Sequence, residues 1–167
     1  EQLLTAVITS CKPDIVIFQE AYDSTVISGL ASSCGMPHWG AAKGHSVAFI
    51  SRLHVEEPIW RRVRWARRAY MELELSDVAL RIFGVHLSAV HSNLTERRRA
   101  YEIRALLKSV ERYQHGLHLI TGDFNTLAPD ERFDLQRLPM HARAFAFVTG
   151  KSIRWVTVRM MLEAGYV

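Results

Sequence analysis

The chain has 167 residues, 49% hydrophobic and 23% charged, with 21 Lys and Arg against 17 Asp and Glu for a formal charge of +4. That is an ordinary globular balance and enough chain for one domain with a real core. No apolar run reaches the length of a membrane span, so no integral membrane segment is expected, and two cysteines, Cys11 and Cys34, form neither a disulfide scaffold nor a paired thiolate motif for zinc.

In chain order, Leu3, Leu4, Val7 and Ile8 recur at helical spacing and predict a helix from Glu1 to about Cys11, ended by Pro13. DIVIFQE reads as a buried strand from Asp14 to Phe18 that delivers Gln19 and Glu20. Asp23 or Ser24 can cap a second helix reaching about Ser33, and Gly35, Pro37 and Gly40 mark a loop. Ser46 to Ser51 reads as a strand, ending on Ser51 and Arg52. Arg61, Arg62, Arg64, Arg67 and Arg68 crowd into eight residues with Trp60 and Trp65 among them. This stretch suits a β hairpin. Its arginines can track phosphate or can blunt a sheet edge, and its tryptophans are expected to pack.

Arg68 to Leu75 alternates as a strand, Asp77 turns the chain, and VALRIFGVHL follows as a further strand carrying His86, with His91 beyond it. Asn93 or Thr95 opens an amphipathic helix whose stripe is Tyr101, Ile103, Leu106, Leu107 and Val110. Arg97, Arg98 and Arg99 in its first turns are read as a solvated face. LHLIT looks built for burial and ends in Gly-Asp-Phe-Asn. Residues 132–143 are poorly patterned, and Val156, Val158, Met161 and Leu162 predict a last helix. Strands and helices mix, as in an α/β or α+β sandwich.

Apolar strands that end in reactive side chains are where layered folds gather their sites, because the sheet is rigid there and the loops vary. Asp123 and Asn125 flank one residue. They can form a turn with their own backbone. They can also act together, the carboxylate on a cation or a water and the amide as a donor that adds no negative charge. His86 is either a satisfied core histidine or a partner in phosphate binding and proton transfer. Carboxylates and amides favour a hard divalent cation over a transition metal.

The order PDIVIFQE, GHSVAFISR, GVHLSA, an Arg-rich helix and LITGDFNT resembles the endonuclease/exonuclease/phosphatase superfamily of deoxyribonuclease I-like proteins. The resemblance runs from about Leu3 to Tyr166. It implies a four-layer α/β/β/α sandwich and a Mg²⁺-dependent phosphoesterase, with Mn²⁺ as a possible substitute. It implies that Glu20 and Asp123 bind metal, that Asp123 also stands near the attacking water, and that Asn125 and His86 hold the phosphate. His45 and Arg52 fall where members contact substrate, although members often carry Gly-Asn-Ala where this chain has Gly44, His45 and Ser46. Members also begin with a core strand ending in Asn and finish with an Asp-His pair. On that pattern residues 1–167 are expected to be one partial domain, and a complementary chain or segment is expected to supply the missing strands.

The substrate expected is a phosphodiester, nucleic acid included, contacted by Arg61 and Arg64 of the basic hairpin. A phosphomonoester or a phospholipid or sphingomyelin headgroup is the alternative, and a non-catalytic binding protein on the same scaffold is a second one. No basic-then-apolar leader opens the chain, so a cytoplasmic location leads, with secretion the alternative if a leader was removed.

Overall fold

A computed structural model describes residues 1–64, 68–89, 93–113, 116–126, 136, 139–140, 143–144 and 155–166. The chain divides into two compact units, Glu1–His86 with Arg112–Asp123 and Leu87–Glu111 with Phe124–Val167. The architecture is mixed α/β, with helices and strands interleaved along the chain.

The first unit holds helices α1 (Gln2–Cys11) and α2 (Ser24–Ser33) and seven strands. These are β1 (Ile15–Gln19), β2 (His38–Ala41), β3 (Val47–Ser51), β4 (Ile59–Arg62), β5 (Ala69–Leu75), β6 (Leu80–His86) and β7 (Leu117–Asp123). They form two sheets, β1-β3-β2 and β4-β5-β6-β7, antiparallel throughout except for the parallel pair β6 and β7. The Asp23 side chain caps α2 by accepting from the Thr25 amide at 2.8 Å.

Alternation along β3 builds both cores of this unit. Ala48 and Ile50 point toward the helices and pack with Ile8, Ile27, Ala31 and Met36. Val47 and Phe49 point the other way and pack with Met71, Leu73, Leu75 and Ile82 of the second sheet. The result is a helix layer on one sheet and a second sheet beneath it. Gly84 is needed at that interface, since a Cβ there would come within 3.0–3.2 Å of Val47, Met71 and Ile17.

Three sequence expectations are corrected. The stretch containing Gly40 is not loop: His38–Ala41 pairs with β3, and Gly40 serves a close approach, because a Cβ would lie 2.7 Å from the Phe49 ring. LHLIT is not a fully buried strand: among the described residues β7 pairs with β6 alone, and its burial alternates, leaving Leu117 and Leu119 exposed. The strand end at Ser51 and Arg52 belongs to the other end of its sheet, as described below.

In the second unit, α3 (Asn93–Val110) buries Ala100, Ile103, Leu106 and Val110 and packs with α4 (Val156–Glu163). A buried polar network accompanies this packing. Arg99 donates to Glu96 and to the Ser88 carbonyl, and Glu96 accepts from the Thr157 amide at 2.9 Å and from its hydroxyl at 3.0 Å. Ser88 donates to Glu102 through both amide and hydroxyl. Arg97 and Arg98 face solvent as expected, but Arg99 is 1% exposed and does not.

Candidate active site

Strand direction decides which polar residues meet. The register pairs Gln19 with Val47, so the C-terminal end of β1 lies at the N-terminal end of β3. His86 and Asp123 are register partners at the C-terminal ends of the parallel strands β6 and β7. On β6, Ile82 and Gly84 face the first sheet. Period-two alternation carries His86 to that same face, and its register partner Asp123 with it.

His86 is 1% exposed, and its Nδ1 is hydrogen-bonded to Ser46 Oγ at 3.0 Å. Its Nε2 lies 4.0 Å from Asp123 Oδ2, whose side chain is 48% exposed. Imidazole and carboxylate stand farther apart than a direct hydrogen bond. Ser46 also joins this group to the Glu20 loop: its carbonyl accepts from the Ala21 amide at 3.2 Å. Glu20 is exposed and holds φ 58°, the left-handed region that costs a non-glycine residue on the order of 1 kcal/mol.

Asp123 is placed by the residue before it. Gly122 has φ 136°, and a Cβ there would fall 2.0 Å from the Val85 carbonyl oxygen. Any other residue would push β7 off β6 just before the carboxylate. In the second unit Asn125 also takes a left-handed conformation, φ 48°, which asparagine tolerates, and its Nδ2 donates to the Leu87 carbonyl at 2.9 Å.

The β4–β5 hairpin reaches the same end of the first unit, since Arg62 pairs with Ala69 and Met71 with Gly84. Trp60 Nε1 donates to the Val47 carbonyl at 2.9 Å, so this tryptophan packs as expected; Trp65 and Arg67 lie outside the described residues, as does His91. His45, next to Ser46, is partly buried beside Trp60. Burial, and then the charge of Arg62, hold its imidazole below the ordinary histidine value. Arg62 and Arg64 are exposed, and Arg68 donates to the Tyr22 hydroxyl at 2.9 Å.

Two expected substrate contacts sit elsewhere. The register pairs Ser51 with Ile15, which puts Arg52 at the end of the sheet opposite Glu20, where it donates to the Pro13 carbonyl at 3.2 Å. Ser51 is buried in a local turn with Leu53. Arg61 donates to Glu72, a carboxylate 2% exposed that also accepts from Arg81 Nη1 at 2.7 Å and Tyr113 Oη at 2.8 Å. Burial alone would raise the Glu72 carboxyl. The hydrogen bonds from Arg61, Tyr113 and Arg81 outweigh it and hold the group below the ordinary range. This network accounts for Arg61 without a ligand.

Among the described residues no group of three or more His, Cys, Asp and Glu side chains comes together to cage a metal. Two hard carboxylates, Glu20 and Asp123, at strand ends that share one edge of the unit fit a cation of the Mg²⁺ type, which binds through one or two carboxylates with substrate and water oxygens completing its shell. No described helix is long and apolar enough to cross a membrane.

The family model described as Endonuclease/Exonuclease/phosphatase family matches residues 1–140. No curated protein sequence matches the chain. Among solved structures, an AP endonuclease from Archaeoglobus fulgidus is similar over 99% of this chain and 66% of its own, at 14% identity and TM-score 0.66. A humanized D. rerio TDP2 is similar over 83% of this chain and 59% of its own, at 17% identity and TM-score 0.61. Beta toxin from Staphylococcus aureus, as a β-hairpin deletion mutant, is similar over 77% and 61%, at 18% identity and TM-score 0.61. At these identities the likeness is one of fold, and the chain spans about three fifths to two thirds of the length of these three structures.

Proposed function

The chain belongs to the endonuclease/exonuclease/phosphatase family, and from that premise we propose that it is a phosphoesterase that hydrolyses a phosphodiester with the help of Mg²⁺ or Mn²⁺. The observation that carries the reading is the register pair His86 and Asp123: a buried imidazole and a half-exposed carboxylate held 4.0 Å apart where parallel strands end.

Each residue has a role in this reading. The Asp123 carboxylate orients a water toward phosphorus and accepts its proton. His86 donates to a phosphoryl oxygen through Nε2. The Asn125 amide, two residues along the chain from Asp123, donates to a phosphoryl oxygen without repelling it. Glu20 and Asp123 would hold the divalent cation, which when bound neutralises charge developing on the phosphate oxygens. Strain at Glu20 supports a functional placement, because backbone outliers persist where function holds them.

A nucleic-acid substrate is favoured by the hairpin. From Pro58 to Met71 there are five arginines and no acidic residue, and the turn at Arg62 and Arg64 is exposed at the end of the unit that carries His86. Such a stretch tracks a phosphate backbone by charge.

The test is hydrolysis of a chromogenic phosphodiester and of supercoiled plasmid by the intact protein across a Mg²⁺ titration, beside Asp123→Asn. Metal-dependent cleavage that the variant loses supports the proposal. Cleavage of a phosphomonoester alone would keep the site and reject the phosphodiester. No cleavage of any of them would leave a binding protein on this scaffold.

A further inference from the structure

We infer that Ser46 is a positioning residue that sets the tautomer of His86. Ser46 is 5% exposed, and His86 Nδ1, at 3.0 Å, is the one side-chain partner its hydroxyl has among the described residues. A buried hydroxyl proton needs an acceptor. Its neighbour supplies one only if Nδ1 is unprotonated. Ser46 therefore donates to Nδ1, and the proton of a neutral His86 resides on Nε2. That atom faces Asp123 at 4.0 Å.

The consequence is directional. With its proton on Nε2, the ring presents a donor on the side of the Asp123 carboxylate. With the proton on Nδ1 it would present a lone pair, which a phosphoryl oxygen repels. Ser46 is itself held from two sides: its carbonyl accepts from Ala21, and Trp60 fixes the carbonyl of the next residue, Val47. The hydroxyl thus stands on backbone tied to the Glu20 loop and to the hairpin. The tautomer follows from geometry alone, and its catalytic effect rests on the phosphoesterase reading above.

The imidazole nitrogen NMR spectrum of the intact protein, at a pH where His86 is neutral, is expected to show the Nε2–H tautomer. An Nδ1–H tautomer in the unaltered protein overturns the inference, and this needs no variant. Ser46→Ala should shift the population toward Nδ1–H and lower kcat by about tenfold, as for one neutral hydrogen bond, with KM changed less than about twofold. Ser46→Thr keeps a hydroxyl and should restore both tautomer and rate. In a His86→Ala background Ser46→Ala should cost nothing further; an equal loss there would mean that Ser46 acts on the fold and not on His86. A tautomer shift without any change in turnover would uphold the setting of the tautomer and count against the role of His86 on the phosphate, whereas no turnover in the unaltered protein would reject the phosphoesterase reading and leave the tautomer standing.

Discussion

The first unit holds two polar clusters that differ in one respect. Around Glu72, a carboxylate is buried and met by Arg61, Arg81 and Tyr113, with Arg112 at 3.8 Å. At the ends of β1, β6 and β7 the arrangement is inverted: the imidazole of His86 is buried, while the carboxylates of Asp123 and Glu20 reach solvent. A buried charge must be answered by the fold itself, so the Glu72 group is closed and has nothing left to offer a ligand. Exposed carboxylates on a rigid strand end, one of them on a strained backbone, stand where a ligand can reach them. Charge density alone does not separate structure from chemistry; whether the charged group is buried or reaches solvent does.

The comparison breaks first at Asp123. Asp123→Asn is expected to lower turnover by about a thousandfold, roughly 4 kcal/mol of transition-state stabilisation, while a half-exposed carboxylate contributes little to stability. Phosphodiester hydrolysis and urea unfolding on one preparation check it; activity that fell only as the folded fraction fell would remove the distinction between the clusters.

Glu72→Gln is the mirror experiment. It leaves arginines without their carboxylate and should cost roughly 3 kcal/mol of stability, with turnover per folded molecule unchanged. The pH dependence has a definite sign. The folded carboxyl lies below its ordinary 4.5, so its contribution is present above the unfolded value and disappears as pH falls through the folded one. Urea midpoints taken from neutral pH into acid should fall further for the parent than for Glu72→Gln. Parallel curves would show that the network carries no linkage.

Asn125→Ala and Glu20→Gln divide phosphate binding from metal binding. The first should lower turnover about a hundredfold, the worth of one transition-state donor, with the metal titration unmoved. The second should shift the half-maximal metal concentration upward by about tenfold and lower turnover less. Identical metal curves for the two would dissolve their separate roles.

The smallest effect concerns His45. Arg62→Gln removes the charge contribution and leaves burial, so the imidazole should rise toward the ordinary histidine value without reaching it, as read by proton NMR titration. A fall would place the cause elsewhere.

Much of the candidate site is legible in the amino-acid sequence. QE, HL and GDFN mark Glu20, His86, Asp123 and Asn125, and the first three are brought to one end of the first unit. Ser46 carries no such mark, although it is the first residue of a stretch that reads as a strand. Chemistry at C-terminal strand ends is visible in sequence, whereas an antiparallel neighbour contributes its N-terminus to the same edge. Arg52 is misplaced for the same reason: SVAFISR looks like DIVIFQE in composition, but the two strands run in opposite directions.

What the sequence determined by itself was periodic and local. The period of two in RAYMELEL follows from the strand backbone. Tertiary structure alone decided direction and partnership. Alternation says which residues share a face, but not which face is covered or which neighbour runs antiparallel. Hence Glu72 and Glu74, two residues apart on one strand, ended 2% and about half exposed, because the arginines and the tyrosine that close over Glu72 arrive from β4, β6 and the end of the segment before β7. Long-range pairing of this kind is set by the free energy of burying a charge with its partners, which no local window of sequence contains.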